Sequence, residues 1–125
     1  ILVVLLPLPN ATRGIIDAKL LAGLARDGAL GGPVLINGGR GGLQVEGDIL
    51  AAIDAGTVIG ASLDVFAEEP LPATSPLWSR RNIVITPHVA ATSDADVLAA
   101  GIKRAIEDFE AGKPLENLVD VERGY

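Results

Sequence analysis

The sequence contains no cysteine and no methionine, a single histidine, and aromatic residues at only 3% of its 125 positions. Without cysteine there is neither a disulfide framework nor a thiol nucleophile. With one histidine, a multi-histidine metal centre cannot be assembled within this chain. Positive charge is scarce as well. Ten Lys and Arg against sixteen Asp and Glu leave a net charge of −6, the opposite of a nucleic-acid footprint. No apolar run approaches the roughly 18 residues of a membrane-crossing helix. Neither nucleic acid nor membrane is therefore an expected partner. The opening run Ile1 to Leu6 is apolar but lacks the basic lead-in and cleavage site of a secretory signal. The Asn10-Ala11-Thr12 triplet fits a glycosylation acceptor but is not expected to serve as one, and a cytoplasmic setting is expected. The missing initiator methionine leads us to expect a piece of a longer protein.

What is present is aliphatic: 49% of the residues are hydrophobic, generous for one small domain. Four apolar, β-branched runs stand out at Ile1 to Leu6, Val34 to Ile36, Val58 to Val65 and Ile83 to Ile85. The first, second and fourth do not alternate, so the pattern predicts strands buried on both faces. Helical spacing fills the intervals. Asp17 is a candidate N-cap ahead of Leu20, Leu21 and Leu24. A second helix is expected from about Glu46, burying Ile49, Leu50 and Ile53 and stopping at Gly56. A third is expected to start from Ser93 as N-cap, with Leu98, Ile102, Ala105 and Phe109 in one stripe and Gly112 then Pro114 as its stop. Strands alternating with helices predict an open α/β architecture around a parallel sheet of about four strands. A composition shift near Ala91 to Ser93 divides residues 1–91 from a helical tail, 92–125.

In such sheets ligands bind beyond the carboxyl ends of the strands, so the residues that follow each strand matter most. Pro7 and Thr12 follow the first strand, and Asn37-Gly38-Gly39-Arg40-Gly41-Gly42 the second. The third ends in Asp64 with Glu68-Glu69-Pro70 just beyond, and the fourth in Thr86-Pro87-His88. Seven of the fifteen glycines lie between Gly28 and Gly42, where they let backbone approach a flat ligand around one arginine. A guanidinium presents a planar fork to a carboxylate. A carboxylate beside a histidine favours its protonated, proton-donating form. Each feature also has a plain structural reading: a loop, a solvated pair of glutamates, an Asp64 cap, a packed histidine. Trp78 in Ser75-Pro76-Leu77-Trp78 reads as an anchor that packs a loop. The acidic group Glu107, Asp108 and Glu110 reads as a solvated helix face.

Together these residues resemble a known family. The runs Leu35-Ile36-Asn37-Gly38-Gly39-Arg40-Gly41-Gly42, Leu63-Asp64-Val65-Phe66-Ala67-Glu68-Glu69-Pro70 and Ile85-Thr86-Pro87-His88-Val89-Ala90-Ala91 resemble the D-isomer-specific 2-hydroxyacid dehydrogenases. Glu69-Pro70-Leu71-Pro72, Ser75-Pro76-Leu77-Trp78 and the ending Val119-Asp120-Val121-Glu122-Arg123-Gly124-Tyr125 look like the glyoxylate/hydroxypyruvate reductase A branch. The resemblance implies the C-terminal half of a Rossmann-type sheet, with a last helix that returns to a substrate lobe. It implies an NAD(P)-dependent oxidoreductase that reduces a small 2-oxoacid such as glyoxylate or hydroxypyruvate, with NADPH favoured over NADH, in a homodimeric parent. It also implies catalytic roles for three residues: Arg40 clamps the substrate carboxylate, His88 acts as acid/base, and Glu69, rather than Glu68, supports the histidine. Pro7, Thr12, Gly38, Gly39 and Asp64, with Arg40 and His88, match cofactor contacts.

The departures are informative. No G-x-G-x-x-G occurs, and the residue that would choose NAD or NADP is absent. Gly39 stands where alanine is usual, which is expected to add flexibility beside Arg40. Leu30-Gly31-Gly32 looks like an insertion, and Pro9-Asn10 departs from the usual threonine-proline order. The isolated chain is accordingly expected to be inactive. A dinucleotide-sensing, corepressor-like module and a truncated product without function are the alternative readings.

Overall fold

The computed structural model describes residues 1–123, so Gly124 and Tyr125 of the C-terminal motif lie outside the described residues. The chain divides into two compact units, the first Ile1–Ala90 and the second beginning at Ala91. In the first, β1 (Leu2–Val4), β2 (Val34–Asn37), β3 (Gly60–Leu63) and β4 (Ile83–Ile85) form one sheet in the order β1-β2-β3-β4, every pair parallel. The register aligns Val4, Asn37, Leu63 and Ile85 in a row, so the strand ends, and whatever follows them, fall along one edge.

Two helices lie between the strands. α1 (Ala18–Ala22) has only five residues, too short to persist on its own. Its first amides are satisfied from outside: Asp17 accepts from Leu20 N at 2.8 Å, and the Asp48 carboxylate accepts from Ala18 N at 2.8 Å. α2 (Glu46–Asp54) ends two residues before Gly56, whose φ of +67° glycine adopts without steric cost. Leu21 from α1 and Ile49, Ala52 and Ile53 from α2 join Val4, Leu35, Ala61, Leu63 and Ile83 in one core. Each fully buried leucine there contributes about 1.5–3 kcal/mol.

β1 and β3 are shorter than the apolar runs that contain them, and the strands are not buried on both faces. Burial alternates along β2, and Val3 and Val84 remain 54% and 59% exposed. The physical reason is that α1 and α2 pack on the face bearing Val4, Leu35, Leu63 and Ile83, leaving the residues between them on the other face.

In the second unit α3 (Ala95–Glu110) is the main element. Its N-cap is Asp94 and not Ser93: the Asp94 carboxylate accepts from Asp96 N at 2.9 Å and Val97 N at 3.2 Å. The helix stops at Gly112, φ +66°, as its sequence predicts. Leu98, Ile102 and Phe109 form an exposed stripe. No helix of the described residues is long and apolar enough to cross a membrane.

Candidate active site

The segment after β4 carries the histidine in an unusual backbone conformation. His88 has a φ of +55°, the left-handed region that side chains other than glycine avoid. Such a conformation costs of order 1–3 kcal/mol and persists only where surroundings enforce it. Here Asp64, buried at the end of β3, does the enforcing. His88 N donates to the Asp64 carbonyl at 2.8 Å, and Val89 N and Ala90 N donate to its two carboxylate oxygens at 2.9 Å each. The Thr86 hydroxyl closes on the same carboxylate. Burial opposes ionisation of Asp64, but the donors Thr86, Val89 and Ala90, with His88 nearby, hold its carboxyl below the ordinary range.

That loop presents the imidazole to Glu69. His88 Nδ1 lies 2.8 Å from Glu69 Oε2, both side chains being partly open at 48% and 35% exposure. Glu69 is itself oriented: its other oxygen accepts from Phe66 N at 2.8 Å, and the Glu46 side chain accepts from the next amide, Ala67 N, at 2.9 Å. The hydrogen bond from His88, then that from Phe66, holds the Glu69 carboxyl below its ordinary value. With Nδ1 engaged, Nε2 is the ring nitrogen left for a substrate.

Arg40 reaches the same place from β2. Asn37, fully buried at the end of that strand, grips the loop at three points. Its Oδ1 accepts from Gly39 N at 3.1 Å, and its Nδ2 donates to Gln44 Oε1 at 2.8 Å and to the Arg40 carbonyl at 3.3 Å. Gln44, also buried, passes the connection to β3 by donating to the Val65 carbonyl at 2.9 Å. Gly41 fits because it has no side chain, since a Cβ there would stand 1.8 Å from the Phe66 carbonyl oxygen. Gly39 is similarly crowded, 3.0 Å from Leu6 O and Leu43 Cδ1. It therefore serves close packing beneath Arg40 and not the flexibility expected from the sequence.

Arg40, Glu69 and His88 line one open cavity of about 390 Å³, together with Leu8, Arg13, Gly41, Gly42, Phe66 and Ala67. A second, more apolar cavity of about 530 Å³ adjoins it through Phe66, Glu69 and His88, with Leu71, Trp78 and Ile85 among its walls. Trp78 is tied to its loop, as expected of an anchor, by a 2.9 Å hydrogen bond from Nε1 to the Pro72 carbonyl, yet its ring is 53% exposed toward that cavity. Asp64 stands behind the histidine loop. Pro7, Thr12, Gly38 and Gly39 border neither cavity. The Thr12 hydroxyl is held 2.8 Å from the Pro7 carbonyl, and a Cβ on Gly38 would stand 3.3 Å from Leu5 Cδ2 and 3.4 Å from Ala90 Cβ. Glu68 is exposed and lines neither cavity.

Sequence reasoning left Asn37, Gln44, Glu46, Thr86 and Arg13 without roles. Two amides among aliphatic and glycine neighbours were the available signal for the first pair. Arg13 offered none beyond its position after Thr12.

A parallel sheet with its polar groups gathered at the strand ends is the architecture of a doubly wound, nucleotide-binding α/β domain. Residues 1–90 match the family model described as D-isomer specific 2-hydroxyacid dehydrogenase, NAD binding domain, and the chain belongs to that family. Among curated proteins it is 42% identical over its whole length to glyoxylate/hydroxypyruvate reductase A of Photorhabdus laumondii, and 43% identical to that of Salmonella choleraesuis. It spans 38% of the length of each. Among solved structures it resembles the NADPH-dependent glyoxylate/hydroxypyruvate reductase of Sinorhizobium meliloti in complex with NADP and sulfate, with 53% identity and a TM-score of 0.95. That match covers 98% of this chain and 39% of the other. A D-isomer specific 2-hydroxyacid dehydrogenase from Xanthobacter autotrophicus, in complex with NADPH and MES, matches at 43% identity and a TM-score of 0.90, over 98% of this chain and 49% of that one.

Proposed function

We propose that this chain carries the catalytic half of a reductase that converts a small 2-oxoacid, glyoxylate or hydroxypyruvate, to the 2-hydroxyacid with NADPH in preference to NADH. The observation that carries the proposal is the His88–Glu69 pair at 2.8 Å sharing one cavity with Arg40. Gly38 and Gly39 lie where any Cβ would meet Leu5, Leu6 or Ala90, so they let the loop that carries Arg40 pack closely on the strand ends. A bound dihydronicotinamide supplies the hydride. The remaining work falls to side chains of this chain. Arg40 holds the substrate carboxylate through its planar fork and polarises the adjacent carbonyl. His88 carries a proton on Nε2 and delivers it to the carbonyl oxygen as negative charge develops there. Glu69, fixed by Phe66 N, keeps Nδ1 of the ring engaged and balances the positive imidazole.

Residues 1–91 form the C-terminal half of the dinucleotide-binding domain in this proposal, and 92–125 serve a substrate lobe. The parent is a cytoplasmic homodimer. Pro7, Thr12, Gly38, Gly39 and Asp64 stand on the cofactor side. In the full-length enzyme, His88→Ala abolishes glyoxylate reduction while NADPH affinity stays within about twofold, since the imidazole acts chiefly in the transition state and is one cofactor contact among several. Surviving turnover in that variant overturns the acid/base role. The 125-residue chain alone is expected to show no steady-state turnover of glyoxylate with either nucleotide.

A further inference from the structure

The cavity that holds Arg40 contains a second arginine for which the proposed reduction of glyoxylate has no use. Arg13 lines it alongside Arg40, Gly41 and Gly42. The two arginines sit on segments that are spliced together. Gly14 N donates to Gly42 O at 2.9 Å, Ile16 N to Leu43 O at 2.9 Å, and Val45 N to Ile16 O at 3.0 Å. This is a short parallel bridge that fixes the position of one loop against the other. The bare backbone of Gly42 makes room for both Leu8 and the Arg13 guanidinium, since an added Cβ would stand 2.7 Å from Leu8 Cδ2 and 3.2 Å from Arg13 Nη1. Gly42 thus leaves the guanidinium room two residues from Arg40.

Charge balance in this cavity is unusual for so acidic a chain. Among the described residues neither Arg13 nor Arg40 forms an ion pair. The one carboxylate lining the cavity is Glu69, whose two oxygens already serve His88 and Phe66 N. Two guanidinium groups therefore face one concavity with no acidic partner. A single substrate carboxylate satisfies one fork, and glyoxylate has no second anionic group to offer the other.

Taking the reductase assignment as its basis, we infer that Arg13 is a specificity-determining residue that gives the site a second anion subsite, suited to short 2-oxoacids bearing a second carboxylate. Arg40 takes one carboxylate next to the reacting carbonyl, and Arg13 takes the other carboxylate, whether that lies on the same carbon as in oxomalonate or one carbon further as in oxaloacetate. Monocarboxylate substrates occupy the Arg40 subsite alone.

The test uses the full-length enzyme with saturating NADPH, comparing oxaloacetate and oxomalonate with glyoxylate. The expected result is that Arg13→Gln lowers kcat/KM for the two dicarboxylates about tenfold, mainly through KM, and leaves glyoxylate within about twofold. Equal losses on all three substrates, no loss on any, a rise in KM for NADPH, or wild-type enzyme that reduces glyoxylate but neither dicarboxylate would each overturn the inference and leave the reductase assignment standing. Failure of the assignment itself looks different, since no 2-oxoacid is then turned over at all. In that event calorimetric titration decides: Arg13→Gln is expected to weaken binding of tartronate about tenfold and leave glycolate unchanged. Equal binding of tartronate by both proteins, or none by either, overturns the inference.

Discussion

His88 combines two demands on one residue: an imidazole aimed at Glu69 and a backbone turned into the left-handed region. The second is met by Asp64 and Thr86, which touch no part of the proposed substrate path yet determine where the ring points. The buried amides Asn37 and Gln44 do the same for Arg40. Truncating Asn37→Ala leaves Gln44 Oε1 and Gly39 N without their partner, at a cost of about 1–3 kcal/mol in denaturant unfolding. In the full-length enzyme the same change is expected to raise KM for the 2-oxoacid more than KM for NADPH, because the loop it releases carries Arg40. Equal rises in both constants would show that Asn37 acts on the domain as a whole. Arg40 and His88 were legible in the sequence as candidates because each stands three residues after a strand, whereas Glu69 was told from Glu68 only by the family resemblance. Their supports were not, because a hydrogen bond between Asn37 and Gln44 depends on how a loop closes and not on any repeat in the chain.

At the scale of elements, the order and spacing of apolar runs gave the strand and helix order. Asp17 as N-cap and Gly56 and Gly112 as stops follow from local backbone chemistry, which neighbouring residues alone decide. The N-cap of α3 did not follow, because Ser93 and Asp94 are both competent caps and only the phase of the helix chooses between them. Burial of both sheet faces was also misjudged. Apolar content records that a residue can be buried, and not that a helix in this chain covers it. The glycine-rich loop is the element most exposed to mutation. Gly41→Ala brings a Cβ within 1.8 Å of the Phe66 carbonyl oxygen, a clash with backbone that no side-chain rotation relieves. The expected outcome is a loss of about 1–3 kcal/mol in stability, read by thermal melting, and a drop in 2-oxoacid turnover as Arg40 is displaced. Gly47→Ala, with nothing within 4 Å of its Cβ, is the control, and melting is expected to be unchanged or slightly raised.

For the molecule as a whole, stability rests on one aliphatic core beneath one sheet face. Leu63, fully buried at the end of β3, is central to it, and Leu63→Ala is expected to cost about 2–5 kcal/mol in denaturant unfolding. Acid should act on the same fold through Asp64 and Glu69. Both carboxyls sit below their ordinary values of 3.8 and 4.5 in the folded protein, so their contribution is complete above those values. It is lost as pH falls through the depressed folded values. Unfolding free energy measured from pH 7 downward should therefore hold steady to about 5 and then decline. In Asp64→Asn and Glu69→Gln that decline should be shallower.

The splice between the segments at Gly14–Ile16 and Gly42–Val45 has a further consequence. Although both stretches look like connecting loops, their amides are locked into a ladder that opens only when the surrounding core does. In deuterated water Gly14, Ile16 and Val45 should retain their protons about as long as the interior strands, marking the floor beneath the arginines as part of the slowest-breathing region of the domain.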